Sequence, residues 1–112
     1  MDDNAAVAAV SDPELVRMQA RRDETRHLLG EIGDRLAAEA ERKVTACDLL
    51  PYTFGRHSTS WTPRHERRYQ HHLGGARTAH RNEIGALQAK LARQDAAIAA
   101  RHLRKARRAP EA

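Results

Sequence analysis

The sequence predicts an all-α protein: a long helical hairpin of two antiparallel amphipathic helices that oligomerises into a helical bundle. Three observations predict it. Two stretches rich in Ala, Arg and Glu carry apolar residues at three- and four-residue steps. Between them lies residues 48–62, DLLPYTFGRHSTSWT, a connector with three of the four aromatics and several turn formers. Nowhere do β-branched and aromatic residues cluster as a sheet requires.

The expected organisation is a disordered tail over 1–10 and a single helical-hairpin domain over 11–109. The first helix is placed at 12–47. Ser11 or Asp12 can cap it, Pro13 fits its first turn and Glu14 completes an S-x-x-E capping box. Leu15, Met18, Thr25, Leu29, Ile32, Leu36, Ala40, Val44 and Cys47 then fall within an arc of about 120° at the helical period. Gly30 and Gly33 each weaken the helix by about 1 kcal/mol relative to Ala. They are thin spots for close packing or simply tolerated, and tolerance is the simpler account. Arg22 interrupts the stripe, either packing its stem with the guanidinium reaching solvent, which is favoured, or pairing with the other helix.

The second helix is placed at 63–108. Ser60 or Thr62 caps it, Pro63 takes the first turn and Glu66 lies near the positive end of the helix dipole. Tyr69, Leu73, Ala76, His80, Ile84, Leu87, Leu91 and Ile98 share an arc of about 80°. That register runs unbroken through Gly74-Gly75, which argues for one helix with a weak or kinked point there. The alternative is two helices, 63–73 and 76–108. Pro110 ends the pattern.

Two such helices have few large apolar side chains. Burying one yields about 1.5–3 kcal/mol, whereas ordering each residue costs about 1–2 kcal/mol in backbone entropy. A lone hairpin should be marginal, so a homo-oligomer is expected, with Leu29, Ile32, Leu36, Ile84, Leu87, Leu91 and Ile98 as its interface or as a surface for partner proteins. Around the connector, Cys47, Leu49, Leu50, Trp61 and Tyr69 are expected to form the largest apolar cluster, which fixes the hairpin angle.

Charge is unevenly placed. Residues 1–50 carry 11 acids and 7 bases, and residues 51–112 carry 4 acids and 13 bases, within a chain total of +5. Lys90, Arg93, Arg101, Arg104 and Arg108 fall within about 80° on a helix, with Lys105 and Arg107 nearby. No acid lies between Ala96 and Ala109. Spaced cations of this kind match the phosphate rail of a nucleic-acid duplex and bind it without reading sequence. No helix-turn-helix is evident, because the connector is far longer than that motif's turn.

Several function classes are disfavoured. Cys47 is the only cysteine, so no intrachain disulfide forms, and a reducing, cytoplasmic setting is expected. The acidic start MDDNAAVAAV lacks the bases of a signal peptide, and no stretch has the length of a membrane span. Six of the seven histidines follow residue 56, yet H-E-x-x-H would need histidine where Tyr69 stands. Cys47, His57, His65, His71 and His72 match no zinc spacing. His80 lies on the apolar stripe and is expected to be half-buried and bonded to a neighbour. His57 beside Ser58, Thr59 and Ser60 has no orienting acid, so no catalytic residues and no cofactor are assigned. The function expected is a non-enzymatic helical interaction protein, a nucleic-acid-associated accessory factor using the basic end of the second helix. The alternative is a coiled-coil-type adaptor or assembly protein that binds partners through its apolar faces. An acidic protein surface could also use the basic patch.

Overall fold

The computed structural model describes residues 12–47 and 54–108, and among these lie three α-helices: α1 (Pro13–Cys47), α2 (Pro63–Ala79) and α3 (Arg81–Arg108). No strand occurs among the described residues. The expected tail and the part of the connector that includes Leu49, Leu50 and Tyr52 lie outside them. The chain divides into two compact units. One contains the start of α1, up to Leu29, and α3 from Ala86 onward; the other runs from Gly30 to Gly85.

The first helix begins where the sequence places it, and the cap is Asp12. Its Oδ1 accepts the Leu15 N–H at 3.0 Å, and its C=O accepts the Val16 N–H at 3.2 Å. The side chain thereby satisfies one of the amides that a helix start leaves unpaired. Glu14 turns to Arg17 at 2.7 Å and Arg21 at 3.3 Å; Ser11, the other half of the expected capping box, lies outside the described residues.

In the first unit α1 and α3 run antiparallel, as their ion pairs require: Asp12 faces Arg101, and Arg22 faces Asp95. Leu15, Thr25 and Ile98 are buried there. The Thr25 hydroxyl donates to the Arg21 carbonyl at 3.2 Å, which is how a polar residue occupies the apolar stripe at little cost. Arg22 takes the less favoured of its two expected roles. Its guanidinium is mostly covered and pairs with Asp23 at 2.9 Å and with Asp95 of α3 at 3.7 Å.

In the second unit the core comprises Ile32, Leu36, Ala40 and Val44 of α1 with Tyr69 and Leu73 of α2. Their one-turn spacing on each helix is the pattern that lets facing rows interdigitate.

The expectation of one helix over 63–108 is corrected. The helix passes through Gly74-Gly75 without interruption, and the break falls at His80, with φ −103° and ψ 12°. The His80 N–H still donates to the Ala76 carbonyl, and the His80 carbonyl accepts from the Ile84 N–H, both at 3.0 Å. Apolar periodicity could not reveal this break, because a single-residue turn that keeps the ladder bonds on either side barely changes the phase of the stripe. The neighbour His80 finds is Glu83, one turn along the helix, with Nδ1 3.4 Å from Oε2. At Gly30, Gly33, Gly74 and Gly75 an added Cβ would meet nothing within 4 Å, so none of the four is required by packing within the chain.

Candidate nucleic-acid interface

The seven cations singled out on α3 divide into two groups. Arg101 and Lys105 turn toward α1 and enclose Asp12. Arg101 Nε lies 3.0 and 3.2 Å from the two carboxylate oxygens and Nη2 lies 2.8 Å from Oδ1, while Lys105 Nζ is 3.1 Å from Oδ2. The two-pronged arginine contact is the strong geometry for a carboxylate. The Asp12 side chain is only 6% exposed. Hydrogen bonds from Arg101, then from the Leu15 N–H, hold its carboxyl well below the usual range, against the opposing effect of burial.

The other five, Lys90, Arg93, Arg104, Arg107 and Arg108, are exposed, and none pairs with a carboxylate among the described residues. At the helical period they occupy an arc of about 100° on the side of α3 away from Ile98. The basic end of α3 is therefore tied to α1 as far as residue 105. The pattern of cations was legible in the sequence. Which of them face a carboxylate was not, because Asp12 is 89 residues from Arg101 in the chain.

Of the expected interface residues, Ile32, Leu36 and Ile98 are buried within the chain, whereas Leu29, Ile84, Leu87 and Leu91 are half-buried. Among the described residues, Val16, Leu28 and Leu103 are the exposed large apolar side chains, with Leu103 at 53%.

The connector and the start of α2 form a second set of interactions. Thr62 caps α2: its Oγ1 accepts the His65 N–H at 3.2 Å, and its own N–H donates to His65 Nδ1 at 3.0 Å. Histidine here plays the part usually taken by Glu or Gln in a capping box. Glu66 is the centre of the local network. It accepts from Arg56 at 2.8 and 2.9 Å, from Trp61 Nε1 at 3.0 Å and from Gln70 at 2.8 Å. Arg56 and then Gln70 lower its carboxyl to about 2, from an ordinary value of 4.5, although burial opposes them. The Arg56 guanidinium also sits 4.2 Å above the Tyr69 ring.

Phe54 stacks on Trp61 with centroids 5.6 Å apart, and Trp61 meets the ring of buried Tyr69 edge-on at 6.3 Å. These contacts build the Trp61–Tyr69 part of the cluster expected from the sequence, whereas Leu49 and Leu50 lie outside the described residues. Gly55 is buried against the Glu41 carboxylate, which accepts the Arg56 N–H at 2.6 Å. Sequence reasoning assigned Glu66 only to the helix dipole. The Glu66–Gln70 spacing was a visible helical pair, but the approach of Arg56 and Trp61 depends on how the connector turns.

The residues considered for chemistry are otherwise engaged or dispersed. Ser58 Oγ accepts the Gly55 N–H at 3.0 Å and the Ser58 N–H donates to the Gly55 carbonyl at 2.8 Å, so the serine builds the turn beside exposed His57. An open pocket of about 150 Å³ is lined by Glu41, Arg42, Thr45, Phe54 and His57. The His71 and His72 rings lie 5.7 Å apart, and no group of three or more metal-ligating side chains converges among the described residues. No helix among them is long and apolar enough to cross a membrane.

The chain matches no protein-family model, no curated protein and no solved structure at a significant level.

Proposed function

We propose that this chain is a non-enzymatic, nucleic-acid-associated accessory factor that contacts phosphates through the C-terminal part of α3. The observation that carries the proposal is the division among the α3 cations. Arg101 and Lys105 anchor the helix to Asp12, while Lys90, Arg93, Arg104, Arg107 and Arg108 remain exposed on one face. A rigid helix carrying unneutralised cations can release counterions from a duplex without reading its bases. The lone Cys47 fits a reducing, cytoplasmic setting.

An electrophoretic mobility shift with mixed-sequence duplex DNA at low salt tests the proposal. Binding should weaken with salt, and replacing all five exposed cations by Gln should reduce the slope of log K against log salt by about 4–5. Absence of binding by the wild type, or an unchanged slope in the variant, would refute it.

A second function, an adaptor binding partner proteins or a further copy of itself, is supported by exposed Val16, Leu28 and Leu103 and by half-buried Leu29, Ile84, Leu87 and Leu91. Sedimentation equilibrium distinguishes self-association from a stable monomer.

A further inference from the structure

The outer face of α2 carries a charge pattern separate from that of α3. Arg64, Arg67, His71, Gly74, Gly75 and Thr78 are all exposed and lie within about 120° of one another on the helix, opposite buried Tyr69 and Leu73. The only acid in α2 is Glu66, which is turned to the core side and neutralised by Arg56. Between Phe54 and Asn82 there is no other carboxylate, against six arginines. Among the described residues, the face therefore lacks a counter-charge from its own helix or from the connector between Phe54 and Thr62.

Its middle is bare. An added Cβ at Gly74 or Gly75 would meet nothing within 4 Å, so these helix-weakening residues serve no packing need in the chain. The Thr78 hydroxyl donates to the Gly74 carbonyl at 3.0 Å, so it is turned back along the helix. Arginines followed along the same face by exposed glycine backbone leave room for a bulky, negatively charged chain to approach α2 closely.

We infer that this face of α2 is a second phosphate-binding surface, fitted to the backbone of a nucleic-acid duplex. Arg64 and Arg67 supply the charge, His71 supplies a ring N–H donor, and Gly74-Gly75 give the clearance. The inference shares its ligand class with the α3 proposal but rests on different residues in the other unit of the chain.

The test measures the salt dependence of binding to mixed-sequence duplex DNA for full-length variants whose helicity is checked by circular dichroism. Arg64→Gln/Arg67→Gln should lower the slope of log K against log salt by about 2. Gly74→Gln/Gly75→Gln should weaken binding while leaving thermal stability unchanged or higher, an outcome that a merely structural role for the glycines would not give. An α2 variant with wild-type slope would overturn the inference while leaving the α3 proposal standing. Loss of slope in the α2 variant with none in the α3 variant would do the reverse. A wild type that does not bind duplex at low salt removes both. If polyglutamate competes with DNA as strongly as an equal charge of unlabelled duplex, the surface is a general polyanion site and the assignment to phosphates fails.

Discussion

Arg101 of α3 grips both carboxylate oxygens of Asp12, the residue that caps α1, with its closest nitrogen at 2.8 Å. One carboxylate thus ends a helix and joins it to another. The cap and the clasp share Oδ1, and Lys105 occupies Oδ2 as well. Asp12→Asn should separate the two roles, since Asn caps a helix about as well as Asp but cannot form the ion pairs. Thermal unfolding followed by circular dichroism should place Asp12→Asn between the wild type and Asp12→Ala. Equal midpoints for Asn and wild type would mean that the clasp contributes nothing.

Neighbouring arginines on α3 should behave differently. Arg101→Gln removes the bidentate contact and should lower the melting temperature. Arg104→Gln touches no described carboxylate, so it should leave the stability unchanged within about 0.5 kcal/mol and the melting temperature close to that of the wild type. On DNA it should reduce the salt slope by about 1. Differential scanning fluorimetry and binding isotherms on the same samples check both halves.

Acid should loosen the molecule in a definite window. The Glu66 carboxyl is lowered from 4.5 to about 2 chiefly by Arg56. A carboxylate with a depressed folded value contributes its stability in full above the unfolded value and loses it as pH falls toward the folded one. Asp12 is displaced in the same direction and adds to the effect. Stability should therefore decline as pH falls from about 4.5 towards 2, and Glu66→Gln should decline less steeply over that interval. Parallel pH profiles of the two proteins would count against the Glu66 network.

Trp61 is the only tryptophan, so its fluorescence reports directly on the connector. It is half-buried, stacked on Phe54 and bonded to Glu66. Trp61→Phe should keep most of the ring contact and lose the hydrogen bond, a cost of about 1 kcal/mol. Trp61→Ala should cost about 3 kcal/mol, the lower end of the range for removing a large aromatic, because the side chain is not fully covered. Urea unfolding of the three proteins, followed by far-ultraviolet circular dichroism, gives the comparison.

Gly30 and Gly33 lie in α1 with open space where a side chain would stand. Gly30→Ala and Gly33→Ala should each stabilise the protein by about 0.4–1 kcal/mol, because alanine restricts the unfolded chain and fits the helix. Destabilisation by either would reveal close packing against a second molecule.

Much of this structure follows from local chemistry. Asp12-Pro13 and Thr62-Pro63 start helices wherever they meet a periodic run, because each offers a side-chain acceptor and a preset φ at the position where both are needed. The stripes from Leu15 to Val44 and from Tyr69 to Leu73 named the core positions, since burial on one helix face imposes its own spacing. The tolerance of the α1 glycines was legible for the same reason.

The rest was decided by distance through space. Periodicity cannot separate the anchoring Arg101 and Lys105 from the exposed Arg104 and Arg108, because only the position of Asp12 distinguishes them. Nor could it foresee that Glu66 would gather Arg56 and Trp61, which depends on the turn built by Gly55 and Ser58. The break at His80 also escaped, because it leaves the apolar phase intact. Sequence alone determined which segments are helical and which faces are apolar. Tertiary structure decided which charges are neutralised, since a carboxylate's field acts over a few ångströms of space irrespective of how many residues of chain intervene.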